Sequence, residues 1–407
     1  MTTLTELLKD PTPSEINFAE QYSKLGYSGQ RERNFEAFAA TGLPTRRIEA
    51  WKWSDLRFAL SASVDPADIS LPDTPFATIE DAVTIRFTAD GIELPEVIPA
   101  GLSITTKDAG NALPGAEEIP VAALAAALAT KPGTLLIEVK GKVSVPLHLV
   151  FENSADQTFS HTRFVMREDA ELTVYESHLG GKGFSNHVLE YSLEQRADLT
   201  RVLFQNADAA SVQVFTAIIQ LEAQARLKQS SLGFGAKLCR NETRIFHQGD
   251  EAHAVLNAAY LLDAGRHYDQ TSLVRHSREA CTTRQLVKGV VKDEGRAVFQ
   301  GKFHVARAGQ QTDAEMQHHA LILENGGDVN AKPELEIYAD DVQCAHGNTV
   351  GALDGEALFY IRQRGVPEKQ AKALLTEAFL LDALGQVPDG AREPMSAEIR
   401  YWLESYV

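Results

Sequence analysis

The chain is expected to fold mainly as β-structure: a right-handed parallel β-helix flanked by helical regions at its amino- and carboxyl-terminal ends. Three observations carry this. From Thr134 onward the apolar residues recur at every second position, as where Ala297, Phe299, Gly301, Phe303 and Val305 alternate with Val298, Gln300, Lys302 and His304. A small residue also returns every 27 or 28 positions, at the centre of Glu168-Asp169-Ala170-Glu171-Leu172, Gln195-Arg196-Ala197-Asp198-Leu199, Ala223-Gln224-Ala225-Arg226-Leu227, Asp250-Glu251-Ala252-His253-Ala254 and Arg278-Glu279-Ala280-Cys281-Thr282. Outside this stretch the apolar period changes to that of helices. Each unit of two strands is too small to bury its own apolar face and does so by stacking on its neighbours, which is the physics of a solenoid. A β-sandwich, which also spaces its strands regularly, is the alternative.

The elements divide into an amino-terminal helical and connecting region (1–130), a β-helix core (131–346) and a carboxyl-terminal helical domain (347–407). Ile16, Ala19 and Tyr22 fall at helical spacing, with Ser14 as the N-cap. Residues 31–40, with Phe35 and Phe38 on one side, predict a second helix. In 46–56, Trp51 and Trp53 stand beside basic residues. That mixture suits base stacking, but in so acidic a chain it reads more simply as two aromatic anchors holding the segment on the main body. Residues 65–120, rich in Pro, Asp and Ala with one strand pattern at 83–87, read as a connection. The Ala/Leu run 121–130 predicts a short helix stopped by Pro132-Gly133.

Within the core, 188–193, 212–218 and 297–305 carry strand patterns, and Leu335, Ile337 and Ala339 continue them. Beyond it, Asp354 can cap a helix over 356–364 that ends at Gly365, with Pro367 suited to a first turn. Ala371, Leu374, Leu375, Ala378, Leu381 and Leu384 then form one apolar face, and 396–406 predicts a final helix. This tail is placed to cap the open end of the solenoid or to present a ridge to another subunit.

The 407 residues carry a formal charge of -17, which excludes the basic stripe of a nucleic-acid binder. No segment approaches the roughly twenty apolar residues of a membrane span, and the amino terminus lacks the pattern of a secretory signal. A cytoplasmic, reducing compartment fits. Three cysteines without CxxC spacing disfavour a disulfide framework.

The chemistry concentrates in KPELEIYADDVQCAHGNTVG, 332–351. If the strand pattern continues there, Cys344 and His346 project from one face, separated by roughly 7 Å along the strand. A thiolate and an imidazole at that distance can reach one ion or one inorganic sulfur. A metal or iron-sulfur centre needs about four ligands, so the others must come from another chain and the site belongs to an interface. The remaining candidates are weaker. His318 and His319 point to opposite faces and make a poor chelate. His247, His253, His267 and His276 read as ordinary polar positions on the solenoid surface. Cys281, in a repeat position, reads as a small core residue. Cys239 is left open between core packing and a place in a sulfur relay. There is no GxxxxGK[ST] loop, since 233–237 lacks the spacing and the hydroxyl, and neither GxSxG nor HExxH is present.

GRAVFQGKFHV at 295–305, QTDAEM at 311–316, the 332–351 stretch and LFYIRQRG at 358–365 together resemble the SufB/SufD family of the SUF iron-sulfur cluster assembly machinery, its SufD branch above all. The resemblance is dense over the last third of the chain and thin before Arg46. It implies a non-catalytic scaffold subunit, paired with SufB through the β-helices and holding the ATPase SufC on its carboxyl-terminal helices, with no ATP site of its own. It implies that His346, with Cys344 second, contributes to a transient cluster shared with SufB. It also implies sulfur delivered by a cysteine desulfurase system and a reduced flavin on the complex. Two other readings remain: a homodimeric β-helix binding module, and a polysaccharide-active β-helix enzyme, against which the missing secretory signal weighs.

Overall fold

Strands that follow one another in the sequence go to alternate sheets, and each pairs with the strand two places on. Val212–Leu221 thus lies parallel to Phe184–Leu193 on one side and to Leu238–His247 on the other, matched residue for residue. This is the computed structural model of the chain, which describes residues 8–25, 29–61, 71–107, 113–129, 133–153, 155–323 and 326–404. Repeating the step builds a ten-stranded and a nine-stranded sheet, a parallel β-solenoid of about eight turns with helices at both ends of the chain. The mainly β architecture is the one that the period and the repeat predict. Leu189, Tyr191, Phe215, Ile219, Tyr260, Phe299 and Phe303 belong to one continuous apolar cluster inside the tube. The segment read as a connection does more than connect. Val83–Thr88 joins the ten-stranded sheet beside Leu147–Asn153, and Leu102–Lys107 closes the nine-stranded sheet antiparallel to Thr134–Val139.

The sequence repeat marks one corner of the tube. Asp169, Arg196, Gln224, Glu251, Ala280 and Gln311 all have φ between 52° and 60°, the left-handed conformation that lets the chain turn sharply between strands. The next residue in each case is small and fully buried: Ala170, Ala197, Ala225, Ala252, Cys281 and Thr312. The fifth copy is therefore shifted by one from the alignment on Ala280, because Ala280 takes the left-handed position and Cys281 fills the slot under the corner. Thr312 is a sixth copy, hidden from the sequence because a threonine stands where the others have Ala or Cys.

Both sheets are covered on their outer faces. Helices Pro13–Leu25, Gly29–Ala39 and Pro120–Leu128 pack on the nine-stranded sheet, where Phe18, Phe35, Phe38 and Leu124 meet Phe159, Phe184, Val212 and Val214. The first helix is capped by Thr12, not Ser14. Thr12 Oγ1 accepts from Glu15 N at 3.3 Å while the Glu15 carboxylate accepts from Thr12 N at 2.7 Å, a reciprocal capping box that leaves Ser14 to bond Leu60 O. Thr130 and Pro132, the expected end of the Ala/Leu helix, lie outside the described residues, as does Tyr406. Trp51 is buried with the Arg240 guanidinium 4.1 Å above its ring, so it acts as an anchor on the solenoid.

The carboxyl-terminal helices do not cap the open end. Glu368–Leu381 and Asp389–Glu404 run along the flank of the ten-stranded sheet, where Leu380, Leu384, Met395, Ile399 and Leu403 pack with Phe204, Leu232, Leu261 and Val290. The predicted apolar face is split by this. Ala371 and Leu384 are buried, while Leu374 remains 46% exposed, because the flank takes Thr376 and Leu380 instead. Asp354 caps Gly355–Gln363 as expected, its carboxylate accepting from Glu356 N and Ala357 N.

Candidate functional site

The last turn of the solenoid has a neighbour on one side only. Gln343–Gly351 is the terminal strand of the ten-stranded sheet and Asp328–Ile337 that of the nine-stranded sheet. Pro333, which has no N–H to give to a ladder, sits on one of these two edges, where a proline is tolerated. In the terminal strand Cys344, His346, Asn348 and Val350 stand over Ala314, Met316, His318 and Ala320 of the preceding turn. Those four are buried in the tube, so their partners also point inward. With no further turn above them, Cys344 is half-buried and His346 and Asn348 are exposed. The tube ends in a mouth whose one wall carries a thiol, an imidazole and a carboxamide. The other wall, Ala331, Pro333 and Leu335 over Phe299, Gly301 and Phe303, is apolar.

The structure thus brings Cys344 and His346 to one face. Burial holds the Cys344 thiol above its ordinary value, the backbone at Ala314 opposing and Asp313 adding to the effect, so a metal that takes this sulfur must displace its proton. Among the described residues no three His, Cys, Asp or Glu side chains converge to hold an ion. The mouth offers two donors.

The other candidates lie elsewhere. Cys239 is completely buried in the core and its thiol is pushed well above the ordinary value, chiefly by burial. A protonated thiol without access is no relay. Cys281 is the buried corner residue already described. His247 and His276 are corrected from surface to interior: both are fully buried, stacked at 4.6 Å, with Nε2 of each on Thr283 Oγ1. Period-two counting places them on one face but does not say that this face is the inside. His318 is buried and His319 is not, as their opposite directions require. Gly233 packs under Tyr268 and Lys237 Nζ donates to Ala59 O, a structural use of the glycine-rich 233–237 segment.

What sequence reasoning missed is the polar content of the tube. Glu176 and Arg201 are fully buried there, joined by Nε–Oε1 and Nη2–Oε2 contacts of 2.5 and 2.6 Å. Arg201 also donates to Gln229 at 2.7 Å, and the Tyr191 hydroxyl donates to Glu176 at 2.7 Å. Burial alone would raise the Glu176 carboxyl, but Arg201 and His178 override it and hold it at about 2. Nearer the mouth, His318 bonds Tyr260 and Asn348. The available signal was a polar residue at an inward position of a strand, as Arg201 is between Leu199 and Leu203.

Comparison with known proteins places the chain in a family. The SufBD core domain of the SUF system for FeS cluster assembly matches residues 149–379. The iron-sulfur cluster assembly protein SufD of Escherichia coli is 27% identical, covering 95% of this chain and 97% of its own. The chloroplastic protein ABCI7 of Arabidopsis thaliana is 26% identical over 91% and 85%, and SufD of Bacillus subtilis 24% over 70% and 67%. With more than half its length matched by the family's core domain, and a solenoid running through that region, the chain belongs to the SufB/SufD family of the SUF iron-sulfur cluster assembly system.

Proposed function

We propose that this chain is a scaffold subunit whose solenoid mouth supplies half of a nascent-cluster site, His346 first and Cys344 second, with a SufB chain supplying the rest. The observation that carries the reading is that two metal-ligating side chains share the inward face of the solenoid's last turn, whose strands have a neighbour on one side only. A free strand edge is a template for another strand, so the chain that completes the ladder also brings the missing ligands. An identical copy would also satisfy the edge, which makes a homodimer the reading for the isolated chain. The proposal includes sulfur from a cysteine desulfurase system, a reduced flavin on the complex and a cytoplasmic location. No helix among the described residues is long and apolar enough to cross a membrane.

The test is anaerobic reconstitution of the co-purified complex with His346→Ala, read by visible absorption. Cluster yield is expected to fall at least about tenfold, the loss of a metal–ligand contact and its supports being worth 10–100-fold in affinity. Because His346 is exposed in the single chain, the variant should fold as the parent does. Wild-type yield would reject the assignment.

ATP hydrolysis is assigned to SufC, docked on the carboxyl-terminal helices. Gly355–Gln363 has no buried residue, Phe359 and Tyr360 are 65% and 60% exposed, and Leu374 on the following helix is also exposed. Replacing Phe359 and Tyr360 together by Ala is expected to weaken capture of SufC by at least about tenfold, as removal of aromatic anchors does at interfaces. The thermal midpoint should hold, since neither side chain supports the fold. Undiminished capture would move docking to the other helices.

A further inference from the structure

One part of the mouth has an orientation built into it. Asn348 lies two residues beyond His346 on the same inward face, about 7 Å along the strand. Its Oδ1 accepts from His318 Nδ1 at 2.7 Å, and His318 Nε2 lies 2.9 Å from the Tyr260 hydroxyl. Because the atom facing Nδ1 is Asn348 Oδ1, an acceptor, the matching tautomer carries its proton on Nδ1 and accepts at Nε2: Tyr260 O–H to His318 Nε2, then His318 Nδ1–H to Asn348 Oδ1. Burial holds His318 at about 4, so the ring stays neutral at physiological pH. The ring cannot turn, because it is fully buried and stacked 4.7 Å from Phe299 with the planes 4° apart. Tyr260 reaches across because residue 289 is glycine, where a Cβ would fall 1.8 Å from the tyrosine ring.

With its oxygen committed, Asn348 turns its NH2 arm away from His318, and among the described residues no acceptor meets that arm. A two-donor group is thus held at the rim of the mouth beside the imidazole. Resting on the reading of His346 given above, we infer that Asn348 donates a hydrogen bond to a sulfide of the nascent cluster held at His346. His318 and Tyr260 act as positioning residues that keep the amide in this orientation. Hydrogen bonds to cluster sulfur favour the more negatively charged reduced state and so raise the reduction potential. The amide would hold the growing cluster in place and make it easier to reduce than the imidazole alone.

The experiment is a redox titration of the reconstituted complex carrying Asn348→Ala, Asn348→Asp, Tyr260→Phe or His346→Ala, with cluster yield and thermal unfolding measured on each. Asn348→Ala is the decisive variant, because it removes the donor without adding a charge. Asn348→Asp keeps the acceptor for His318 Nδ1–H but puts a negative acceptor in the donor's place, and its charge adds to the fall in potential. The expected order of potentials is parent, then Asn348→Ala, then Asn348→Asp lowest, with yield several-fold down in Asn348→Asp. Tyr260→Phe, far from the cluster, should lower the potential in the same direction as Asn348→Ala by releasing the relay. Loss of cluster in His346→Ala with parental potentials and yields in both Asn348 variants would overturn this inference alone. Parental yield in His346→Ala would overturn the site itself and the inference with it.

Discussion

Unfolding midpoints are expected to stay level from about pH 8 to pH 7 and to fall steeply from there to about pH 4. Burial holds His148, His276 and His318 neutral at about 4, Arg86 adding to the effect for the first and His304 for the second. In the unfolded chain a histidine titrates near 6.5. The folded values are depressed, so as pH falls through 6.5 the unfolded chain takes up protons that the native tube refuses, and stability is lost until the folded value is reached. About 2.5 units of difference corresponds to roughly 3 kcal/mol for each histidine, a large share of the 5–15 kcal/mol typical of a domain. A second window continues the loss. Glu176 and Glu242 are held at about 2, burial being overridden by Arg201 and Arg240 respectively, so their contribution disappears as pH falls from the ordinary carboxylate value toward 2. Both windows run the same way. Urea unfolding followed across this range checks the prediction, and a midpoint unchanged between pH 7 and pH 5 would refute it.

The second large effect is expected at the buried ion pair. Arg201→Met is expected to destabilise the chain by about 3–5 kcal/mol, because it leaves the Glu176 carboxylate buried without its cation. Burial is complete on both sides, at 1% and 0% exposure, so water cannot replace the lost partner. The double variant Arg201→Met, Glu176→Leu should recover most of that loss, since an apolar pair removes the desolvation cost with the charges. Such non-additivity is what two groups in direct contact produce. Denaturant unfolding of the single and double variants reads both quantities. A loss under about 1 kcal/mol in the single variant would mean that His178 or solvent compensates the carboxylate, and would refute a stabilising role for the Arg201–Glu176 pair.

The corner ladder was readable from the sequence because its requirement is local. A left-handed residue followed by a small buried one recurs wherever the chain turns, and Ala170, Ala197, Ala225 and Ala252 show it plainly. Reading fails at Ala280 and Thr312 for an equally local reason: the slot tolerates sulfur or a hydroxyl, and the coils there lengthen. The pairing of Cys344 with His346 was also legible, since a spacing of two in a strand always means one face. The roles of Asn348 and His318 were not. Thirty positions separate them, and only the register of the last two strands of that sheet brings one over the other.

The sequence by itself determined a solenoid of two-strand units, its period, its helical ends and a Cys/His pair on a shared face. Each of these follows from periodicity, which needs no knowledge of neighbours. Only the tertiary structure decided which face is the inside. In 212–221 nearly every side chain is buried, because the lumen takes one set and the amino-terminal helices take the other, and a strand covered on both faces no longer alternates in polarity. The inside therefore could hold Glu176, Arg201 and the stacked histidines without announcing it. The same ambiguity hid the mouth. That Cys344, His346 and Asn348 point inward, yet meet solvent, follows from the carboxyl-terminal helices taking the flank and leaving the last turn of the tube without a cover.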